Sequence, residues 1–188
     1  AADGGANHCS DLGVIPDILV GDLDSIDSTV LASNEQGDTE IHRHPANKDA
    51  TDLELALDMA IARGASTLWI LGGLGGRWDM SLSSIMLGAS DKYAEINIRL
   101  LGEECIMHIM RPEQAYTLQG QAGQTVSLLP LGGDVEEVHL TGFQYPLIGQ
   151  TIQLGASLGM SNVLTGNDST VQFKKGTLLC IQLFANPA

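Results

Sequence analysis

The chain has 188 residues, a hydrophobic fraction of 44% and a formal net charge of −14 at pH 7. This length suffices for one large domain or two small ones, and the composition is that of a globular protein with a buried core. A surface this acidic repels nucleic-acid backbones and anionic lipids, so we expect neither nucleic acid nor a membrane as a partner. The sequence contains no run close to the roughly 20 apolar residues of a membrane span, and no leader of the signal-peptide type.

The cysteine content favours a reducing compartment. Cys9, Cys105 and Cys180 are far apart in sequence and match neither a metal-binding nor a paired redox spacing. Because their number is odd, they cannot all be joined in disulfides. We therefore predict a cytoplasmic location.

The first part of the chain alternates predicted strands with predicted helices. Short β-branched runs indicate buried strands, and an amphipathic pattern that begins after Thr51 indicates a helix. The predicted elements are a strand over 15–20, a helix over 52–63, a strand over 67–71, a helix over 79–87 and a strand over 96–101. This alternation predicts an α/β domain with a mostly parallel, Rossmann-like sheet covered on both faces.

From about Tyr116 the pattern changes to short apolar runs separated by Gly, Pro and Asn turns, without a helical period. Strands are predicted over 125–129, 135–140, 171–173 and 178–184. Such spacing is typical of a small antiparallel sandwich or barrel. We place the boundary near Pro112, which gives an α/β domain over 1–112 and an all-β sandwich domain over 113–188.

Two carboxylates follow the first predicted strand directly. Asp22 and Asp24 are two residues apart, and in an extended chain such side chains point the same way. A hard cation such as Mg²⁺ would relieve their repulsion and prefers oxygen ligands. A capped turn explains the same residues equally well, because Asp and Ser favour turns.

A second polar group stands where the predicted helix over 52–63 begins. The free amides and the dipole of a helix N-terminus attract phosphate, and Lys48 could bind a phosphate as a point charge. Thr51 and Asp52 have simpler roles as N-cap and dipole partner, with Glu54 completing a capping box. Those simpler roles leave Lys48 and Asp49 unexplained.

A glycine-rich segment joins the strand over 67–71 to the next predicted helix. Four glycines in five residues, at 72–76, are costly to order and suit a loop whose amides wrap an anion. The segment is neither a Walker loop nor a dinucleotide fingerprint. Arg77 could contact phosphate oxygens in a fork, and Asp79 could bind metal, bind substrate or cap the helix.

Two further segments are weak signals on their own. Asp3-Gly4-Gly5 lets the backbone turn sharply or approach a ligand closely, although an ordinary loop explains it. Gly159-Met160-Ser161-Asn162 offers a hydroxyl and a carboxamide in a predicted turn, where turn chemistry is the simpler explanation.

In their order along the chain, these motifs resemble those of the thiamine pyrophosphokinase family over nearly the whole sequence. The segment 159–162 is similar to the Gly-x-Ser-Asn segment of that family's thiamine-binding domain. The other matching motifs are Asp3-Gly4-Gly5-Ala6-Asn7, Pro16-Asp17 with Gly21-Asp22-Leu23-Asp24-Ser25, Lys48-Asp49-Ala50-Thr51-Asp52, and Gly72-Gly73 with Gly76-Arg77-Trp78-Asp79.

The resemblance implies an α/β catalytic domain, a β-sandwich thiamine-binding domain, and a homodimer that holds thiamine in clefts between its subunits. It implies Mg²⁺ as cofactor and ATP as co-substrate. The thiamine hydroxyl would attack the β-phosphorus of ATP in line and AMP would leave, with positioning and charge neutralisation supplying most of the catalysis.

The resemblance also assigns roles to residues of this sequence. The implied metal ligands are Asp22, Asp24 and Asp3. The implied catalytic residues are Asp22, Asp24, Asp52, Arg77 and Asp79. The implied nucleotide- and thiamine-binding residues are Asp3, Gly4, Lys48, Asp49, Thr51, Gly73, Gly76, Ser161 and Asn162. Asp52 is open to two roles, as acceptor of the hydroxyl proton or as partner of the thiazolium cation.

Two departures from the family pattern bear on these expectations. Many relatives carry His where this chain has Met80, which puts any role of that His in doubt here. The family also has a strand before the Asp-Gly-Gly motif, of which this sequence contains almost nothing, so a central strand of the sheet is expected to be missing.

Two other functions are alternatives. A non-catalytic thiamine or nucleotide sensor on the same scaffold is disfavoured by the intact set of carboxylates. A metal-dependent sugar-nucleotide transferase is suggested by Asp22-Leu23-Asp24 alone, and the segments 48–52 and 161–162 disfavour it.

Overall fold

The computed structural model describes residues 1–47 and 49–184. The chain forms two compact units, Ala1–Ser66 and Thr67–Ala188, which we call unit 1 and unit 2 and describe separately. The division into a catalytic domain over 1–112 and a thiamine-binding domain over 113–188 concerns function, and it stays a prediction.

Unit 1 contains three helices and a two-stranded parallel sheet. Strands β1 and β2 pair in register from Ile18 with Glu40 to Gly21 with Arg43. Ala2 adds a single parallel bridge to Val20. The elements are α1 (Gly5–Asp11), β1 (Ile18–Gly21), α2 (Ser28–Gln36), β2 (Glu40–Arg43) and α3 (Asp52–Ala62).

Local chemistry explains where two of these elements begin. The Thr51 hydroxyl accepts a hydrogen bond from the Glu54 amide at 3.2 Å, which confirms Thr51 as the N-cap of α3. Strand β1 begins at Ile18 rather than at the predicted Ile15, which is 77% exposed. Pro16 has no N–H to donate to a strand partner, so pairing starts only beyond it.

Unit 2 is dominated by one nine-stranded sheet and contains a single α-helix among its described residues. Its elements are β3 (Thr67–Leu71), α4 (Trp78–Ala89), a 3-10 turn (Asp91–Tyr93), β4 (Asn97–Leu101), β5 (Cys105–Met110), β6 (Ala115–Leu118), β7 (Thr125–Thr141), β8 (Ile148–Ile152), β9 (Asn162–Val163), β10 (Ser169–Gln172) and β11 (Lys175–Leu183). The main path runs β3-β4-β5-β11-β7-β10-β6, and β8 and β9 pair with β7.

The prediction of a mostly parallel, Rossmann-like sheet over 1–112 stays a prediction. Strands β1 and β2 are parallel, as are β3 and β4, whereas among the described residues of unit 2 every pairing from β5 onward is antiparallel. The link from β4 to β5 has just three residues, 102–104. So short a link permits a hairpin but not a parallel crossover, which needs a dozen or more residues. The sheet therefore turns antiparallel at β5, well before residue 112.

Strand β7 also differs from the prediction of two strands over 125–129 and 135–140. It runs unbroken from Thr125 to Thr141 and changes partners on the way. Its first part pairs with β11, and its last part pairs with β8 and β10. Pro130, Gly132 and Gly133 lie where the partners change, so they bend the strand without ending it.

The core of unit 2 lies among the β-strands, and α4 packs on β4 and β5. A β-carbon added at Gly88 of α4 would lie 3.3 Å from Ile98 and 3.4 Å from Ile109, so the helix lies very close to the sheet. The Arg111 guanidinium caps the C-terminus of α4, because it donates to the carbonyl oxygens of Ala89 and Ser90 at 2.8 and 2.9 Å. Among the described residues, no helix has the length and apolar character that crossing a membrane requires.

Candidate functional site

Three carboxylates from distant parts of unit 1 meet in one place. Oxygen atoms of Asp3, Asp22 and Asp52 all lie within 4.8 Å of one another. Asp3 lies two residues before α1, Asp22 follows β1, and Asp52 is the first residue of α3. We call these three residues the carboxylate cluster. Each comes from a different motif of the sequence, and the fold brings the motifs together.

Gly21 makes this close approach possible. A β-carbon at position 21 would lie 2.9 Å from the Asp3 β-carbon and 3.0 Å from an Asp52 carboxylate oxygen. The residue also has φ +149°, a conformation that side chains rarely adopt. Only glycine therefore fits between the two carboxylates.

The segment after β1 is held by the first helix. The Asn7 side chain donates to the Ser25 carbonyl and accepts from the Asp27 amide, each at 3.0 Å. Gly4 lies against Ser25, because a β-carbon added at Gly4 would lie 3.4 Å from the Ser25 β-carbon. The Asp-Gly-Gly-Ala-Asn motif thus supplies Asp3 to the cluster. Through the hydrogen bonds of Asn7, it also fixes the segment that carries Asp22.

Asp24 is not brought into the cluster, contrary to the expectation that it points the same way as Asp22. Between them, Leu23 has φ +67° and is buried in the core of unit 1. This left-handed residue breaks the alternation of an extended chain. Asp24 is exposed and accepts a hydrogen bond from the Ser25 hydroxyl at 2.9 Å. Its metal-binding role stays a prediction.

The cluster has the donor chemistry that a hard divalent cation prefers. It offers carboxylate oxygens from three side chains, and oxygen is the ligand that Mg²⁺ prefers. Asp3 Oδ1 is buried and has no hydrogen-bond partner in the described part of the chain. Burying an unpartnered carboxylate oxygen is costly, and a bound cation removes that cost. The residues present therefore fit Mg²⁺.

The segment before α3 is only partly described. Lys48 lies outside the described residues. Asp49 is exposed, and Thr51 is used as the helix cap. The fold thus brings Asp52 of this segment into the cluster, while the phosphate-binding roles of Lys48, Asp49 and Thr51 stay predictions.

The glycine loop of unit 2, residues 72–76, turns sharply between β3 and α4. Gly75 and Gly76 have φ +104° and +60°, and an added β-carbon would meet nothing there. An added β-carbon at Gly73 would lie 2.8 Å from Ile70, so that part of the loop packs tightly on the strand. The N–H groups of Gly76 and Arg77 have no acceptor among the described residues, which leaves them available to an anion.

Ser81, a residue that sequence reasoning missed, holds this loop in place. Its hydroxyl accepts from the Gly75 amide at 3.0 Å and lies 3.2 Å from the Gly75 carbonyl oxygen. Ser81 is only 6% exposed. A serine among the apolar residues of a helix was the available signal, although Ser83 and Ser84 of the same helix carry it too.

Arg77 and Asp79 form an exposed ion pair at the start of α4. Arg77 donates from Nε to Oδ1 at 3.1 Å and from Nη2 to Oδ2 at 2.5 Å. The hydrogen bond from Arg77 lowers the pKa of Asp79, and the same bond raises the pKa of Arg77. The pair stays ionised and its charges cancel, so Arg77 can bind phosphate only by sharing or leaving Asp79.

Ser161 and Asn162 differ sharply in what they can still bind. Asn162 is buried, donates to the Tyr145 carbonyl at 2.8 Å and accepts from the Tyr145 amide at 3.1 Å. Ser161 is exposed, has φ +50° and donates its amide to the Ser127 hydroxyl. Asn162 therefore positions a loop, and the Ser161 side chain is the one directed to solvent.

Two family models match this chain. The model of the "thiamin pyrophosphokinase, catalytic domain" matches residues 1–100, and that of the "thiamin pyrophosphokinase, vitamin B1 binding domain" matches residues 105–178. The first model alone covers more than half of the chain.

Curated and structural relatives agree with the models. Thiamine pyrophosphokinase from Bacillus subtilis is 34% identical over 180 residues, which are 96% of this chain and 84% of the relative. Thiamine pyrophosphokinase 1 from Arabidopsis thaliana is 26% identical, over 89% of this chain and 66% of the relative.

Solved structures share the sheet-rich fold. The Bacillus subtilis thiamine pyrophosphokinase structure has a TM-score of 0.85 over 96% of this chain and 85% of its own. The Geobacillus thermodenitrificans thiamin pyrophosphokinase structure has 0.84 at 32% identity, over 98% of this chain and 85% of its own. The chain belongs to the thiamin pyrophosphokinase family.

Proposed function

We propose that this protein transfers the pyrophosphoryl group of ATP to the hydroxyl of thiamine, giving thiamine diphosphate and AMP. The observation that carries the proposal is the carboxylate cluster, because residues from three family motifs meet within 4.8 Å in unit 1. Relatives named thiamine pyrophosphokinase support the same reaction. They give no support to a non-catalytic sensor.

Asp3, Asp22 and Asp52 are proposed to hold Mg²⁺, and Asp24 is retained as a further residue of this site. The unpartnered Asp3 Oδ1 and the all-oxygen donor set support this assignment. When bound, the cation supplies positive charge to the phosphate oxygens. The three carboxylates would fix the position of the cation. Each of them lies near the start of a helix or the end of a strand.

Arg77 and the glycine loop are proposed to bind phosphate groups. The free N–H groups of Gly76 and Arg77 are suited to phosphate oxygens, as are the guanidinium donors of Arg77. Asp79 is proposed to orient Arg77 through their paired hydrogen bonds. Gly4, Gly73, Lys48, Asp49 and Thr51 complete the proposed binding residues.

The proton of the thiamine hydroxyl needs an acceptor as the oxygen bonds to the β-phosphorus and the bond to AMP breaks. Asp52 is proposed either for this role or as the partner of the thiazolium cation. In Asp52→Asn at saturating Mg²⁺, loss of the proton acceptor lowers kcat, whereas loss of the thiazolium partner raises the KM for thiamine.

The finer architecture is also a proposal. We propose a Rossmann-like catalytic domain over 1–112 and a sandwich domain over 113–188 that binds thiamine near Ser161 and Asn162. A homodimer with the site at the subunit interface is proposed from the family resemblance. A cytoplasmic location is proposed because Cys9, Cys105 and Cys180 are all free thiols.

The test measures AMP and thiamine diphosphate formed from ATP and Mg²⁺, with and without thiamine. The proposal expects both products in equal amounts, only when thiamine and Mg²⁺ are present. Saturable thiamine binding without any AMP would overturn it in favour of the sensor. ADP as product would show γ-phosphoryl transfer instead.

A further inference from the structure

Arg111, the residue directly after β5, binds two other elements of unit 2 through its guanidinium. Its Nη2 donates to the carbonyl oxygens of Ala89 and Ser90 at the end of α4, at 2.8 and 2.9 Å. Its Nη1 donates to the Thr177 hydroxyl of β11 at 3.1 Å. The side chain is only 13% exposed, so these hydrogen bonds are largely shielded from water. The guanidinium therefore joins the end of the helix to a strand that is distant in sequence.

Among the residues that the structure describes, backbone carbonyls rather than a close ion pair balance the charge of Arg111. The Asp91 carboxylate is 3.9 Å away and fully exposed, a geometry that contributes little. Helix α4 presents the negative end of its dipole here, and the carbonyl oxygens at a helix end need donors. A guanidinium is planar and holds its donors in a fixed arrangement. Contacts from two of its nitrogens thus define where the end of α4 lies relative to β11.

The packing of α4 on the sheet fixes the direction of the helix only weakly. The buried residues of α4 are Ser81, Ser84 and Gly88. Side chains this small allow a close approach, but they form low ridges that interlock little with their neighbours. Trp78, the largest side chain of the helix, is 82% exposed. A further fixed point is therefore needed, and Arg111 supplies it at the end of the helix.

The length of α4 magnifies any displacement at its end. The 12 residues of the helix span about 18 Å. A tilt of about 5° around the Arg111 end would displace the helix start by about 1.5 Å. Arg77 and Asp79 lie at that start, and Ser81 holds the glycine loop to the same helix. Because a misplacement of about 1 Å can cost about a hundredfold in rate, the fixed point at Arg111 matters at the other end of the helix.

We propose that Arg111 is a positioning residue for the transfer reaction, because it fixes α4, and with it Arg77 and the glycine loop, relative to β11. This inference rests on the proposed function, in which Arg77 and the loop bind phosphate groups and β11 belongs to the thiamine-binding domain. Loss of the Arg111 hydrogen bonds moves the helix and the loop together as one body. The phosphate-binding groups then stay intact, whereas their alignment with thiamine is lost.

The experiment compares kcat and KM of the wild-type chain with those of Arg111→Gln and Thr177→Val. Gln removes the charge and the fork of donors. Val removes only the hydroxyl that accepts from Nη1, keeps the side-chain shape, and keeps the inference testable if Arg111→Gln does not fold. We expect kcat to fall about 10- to 100-fold in Arg111→Gln and about threefold in Thr177→Val, with the KM values for ATP and thiamine within about twofold of wild type.

The matched control is Thr170→Val. Thr170 is a half-buried threonine of β10 whose hydroxyl forms no hydrogen bond with a residue that the structure describes. We expect kcat and both KM values of this variant to be those of the wild-type chain. An equal fall of kcat in Thr170→Val and Thr177→Val would overturn the proposal.

A double-mutant cycle separates the Arg111–Thr177 link from a general loss of stability. Both substitutions break the same hydrogen bond, so Thr177→Val should lower kcat no further in the Arg111→Gln background. Multiplied effects, or a loss of stability with kcat unchanged, would overturn the proposal. A rise in the KM for ATP with kcat unchanged would also overturn it, since that result indicates a disturbed loop rather than a displaced helix.

Crystal structures of the wild-type chain and of Arg111→Gln, superposed on β5, β7 and β11, test the placement of α4 without turnover. We expect the Arg77 Cα atom to move by about 1 Å or more. If the helix moves in this way but the wild-type chain makes no AMP from ATP and thiamine, the proposed reaction is refuted and the placement of α4 by Arg111 stands. An unmoved helix would overturn the inference, whether or not kcat falls.

Discussion

The carboxylate cluster of unit 1 and the glycine loop of unit 2 handle charge in opposite ways. The cluster gathers three acidic side chains around a glycine and leaves one buried oxygen unpartnered. Next to the loop, the start of α4 carries a cation and an anion that cancel, and a buried serine hydroxyl holds the loop backbone. The negative charge of the cluster suits a site that binds a cation. The loop needs no added cation, and the N–H groups of Gly76 and Arg77 beside it are available to an anion.

The largest expected effect is on the cluster. Replacing Asp22 with Asn removes a charge and a ligand oxygen but keeps the shape. We expect turnover at fixed Mg²⁺ to fall by about a thousandfold, the upper range for loss of one preorganised electrostatic contact. Steady-state AMP formation measures this effect. Asp38→Asn, at an exposed carboxylate of the same unit, is the control and should behave as wild type. A similar loss in Asp24→Asn would add Asp24 to the metal site.

Acid lability should belong to unit 2 instead. Burial, aided by the Arg99 charge, lowers the pKa of His108 to about 4. The unfolded chain therefore binds a proton more readily between pH 6.5 and 4. The free energy of unfolding should fall by on the order of 3 kcal/mol as pH drops through this window, and level off below it. Denaturant unfolding of His108→Gln should lose this dependence, whereas His44→Gln should keep it.

A smaller effect tests how tightly the cluster is built. Gly21→Ala must strain the backbone and press on Asp3 and Asp52, so we expect about 2–3 kcal/mol of lost stability and weaker Mg²⁺ dependence. Gly13→Ala, with φ +67° and open space, should cost only about 1 kcal/mol and leave Mg²⁺ dependence unchanged. If both variants lose the same stability and keep their Mg²⁺ dependence, Gly21 is needed only for its backbone conformation.

The smallest effect concerns the loop. Ser81 and Ser84 are equally buried on α4, but Ser84 bonds only to the Met80 carbonyl of its own helix. Ser81→Ala should raise the KM for ATP about tenfold through a misplaced loop, with kcat little changed. Ser84→Ala should lose comparable stability without this change in KM. Identical KM values would remove Ser81 from the positioning residues.

The elements that could be predicted are those whose signals are local. Helix α3 has a capping pair and an apolar stripe. Strand β3 is a short apolar run that ends at glycine, although the prediction that it is buried was wrong, since three of its five residues are exposed. Helices α1 and α2 were missed because neither has a side-chain cap bond or a wide apolar face. Strand β5 was missed, and its pairing with β11, a partner about 70 residues later in the chain, is information that no local pattern contains.

The candidate site also contains residues that could be predicted from local motifs and others that could not. Its acidic residues were found because their motifs are recognisable one by one. The absence of Asp24 from the cluster could not be foreseen, since it depends on one left-handed residue, Leu23, whose buried side chain breaks the alternation of the chain. Ser81 has its partner six residues away in a loop whose conformation the glycines leave open.

The most direct test is a titration of the protein with Mn²⁺, as a spectroscopic substitute for Mg²⁺, followed by electron paramagnetic resonance without nucleotide. We predict one bound ion in the wild-type chain, lost in Asp3→Asn and in Asp22→Asn, and retained in Asp38→Asn. Undiminished Mn²⁺ binding in both cluster variants, with the fold intact, would contradict the assignment of the metal to Asp3, Asp22 and Asp52.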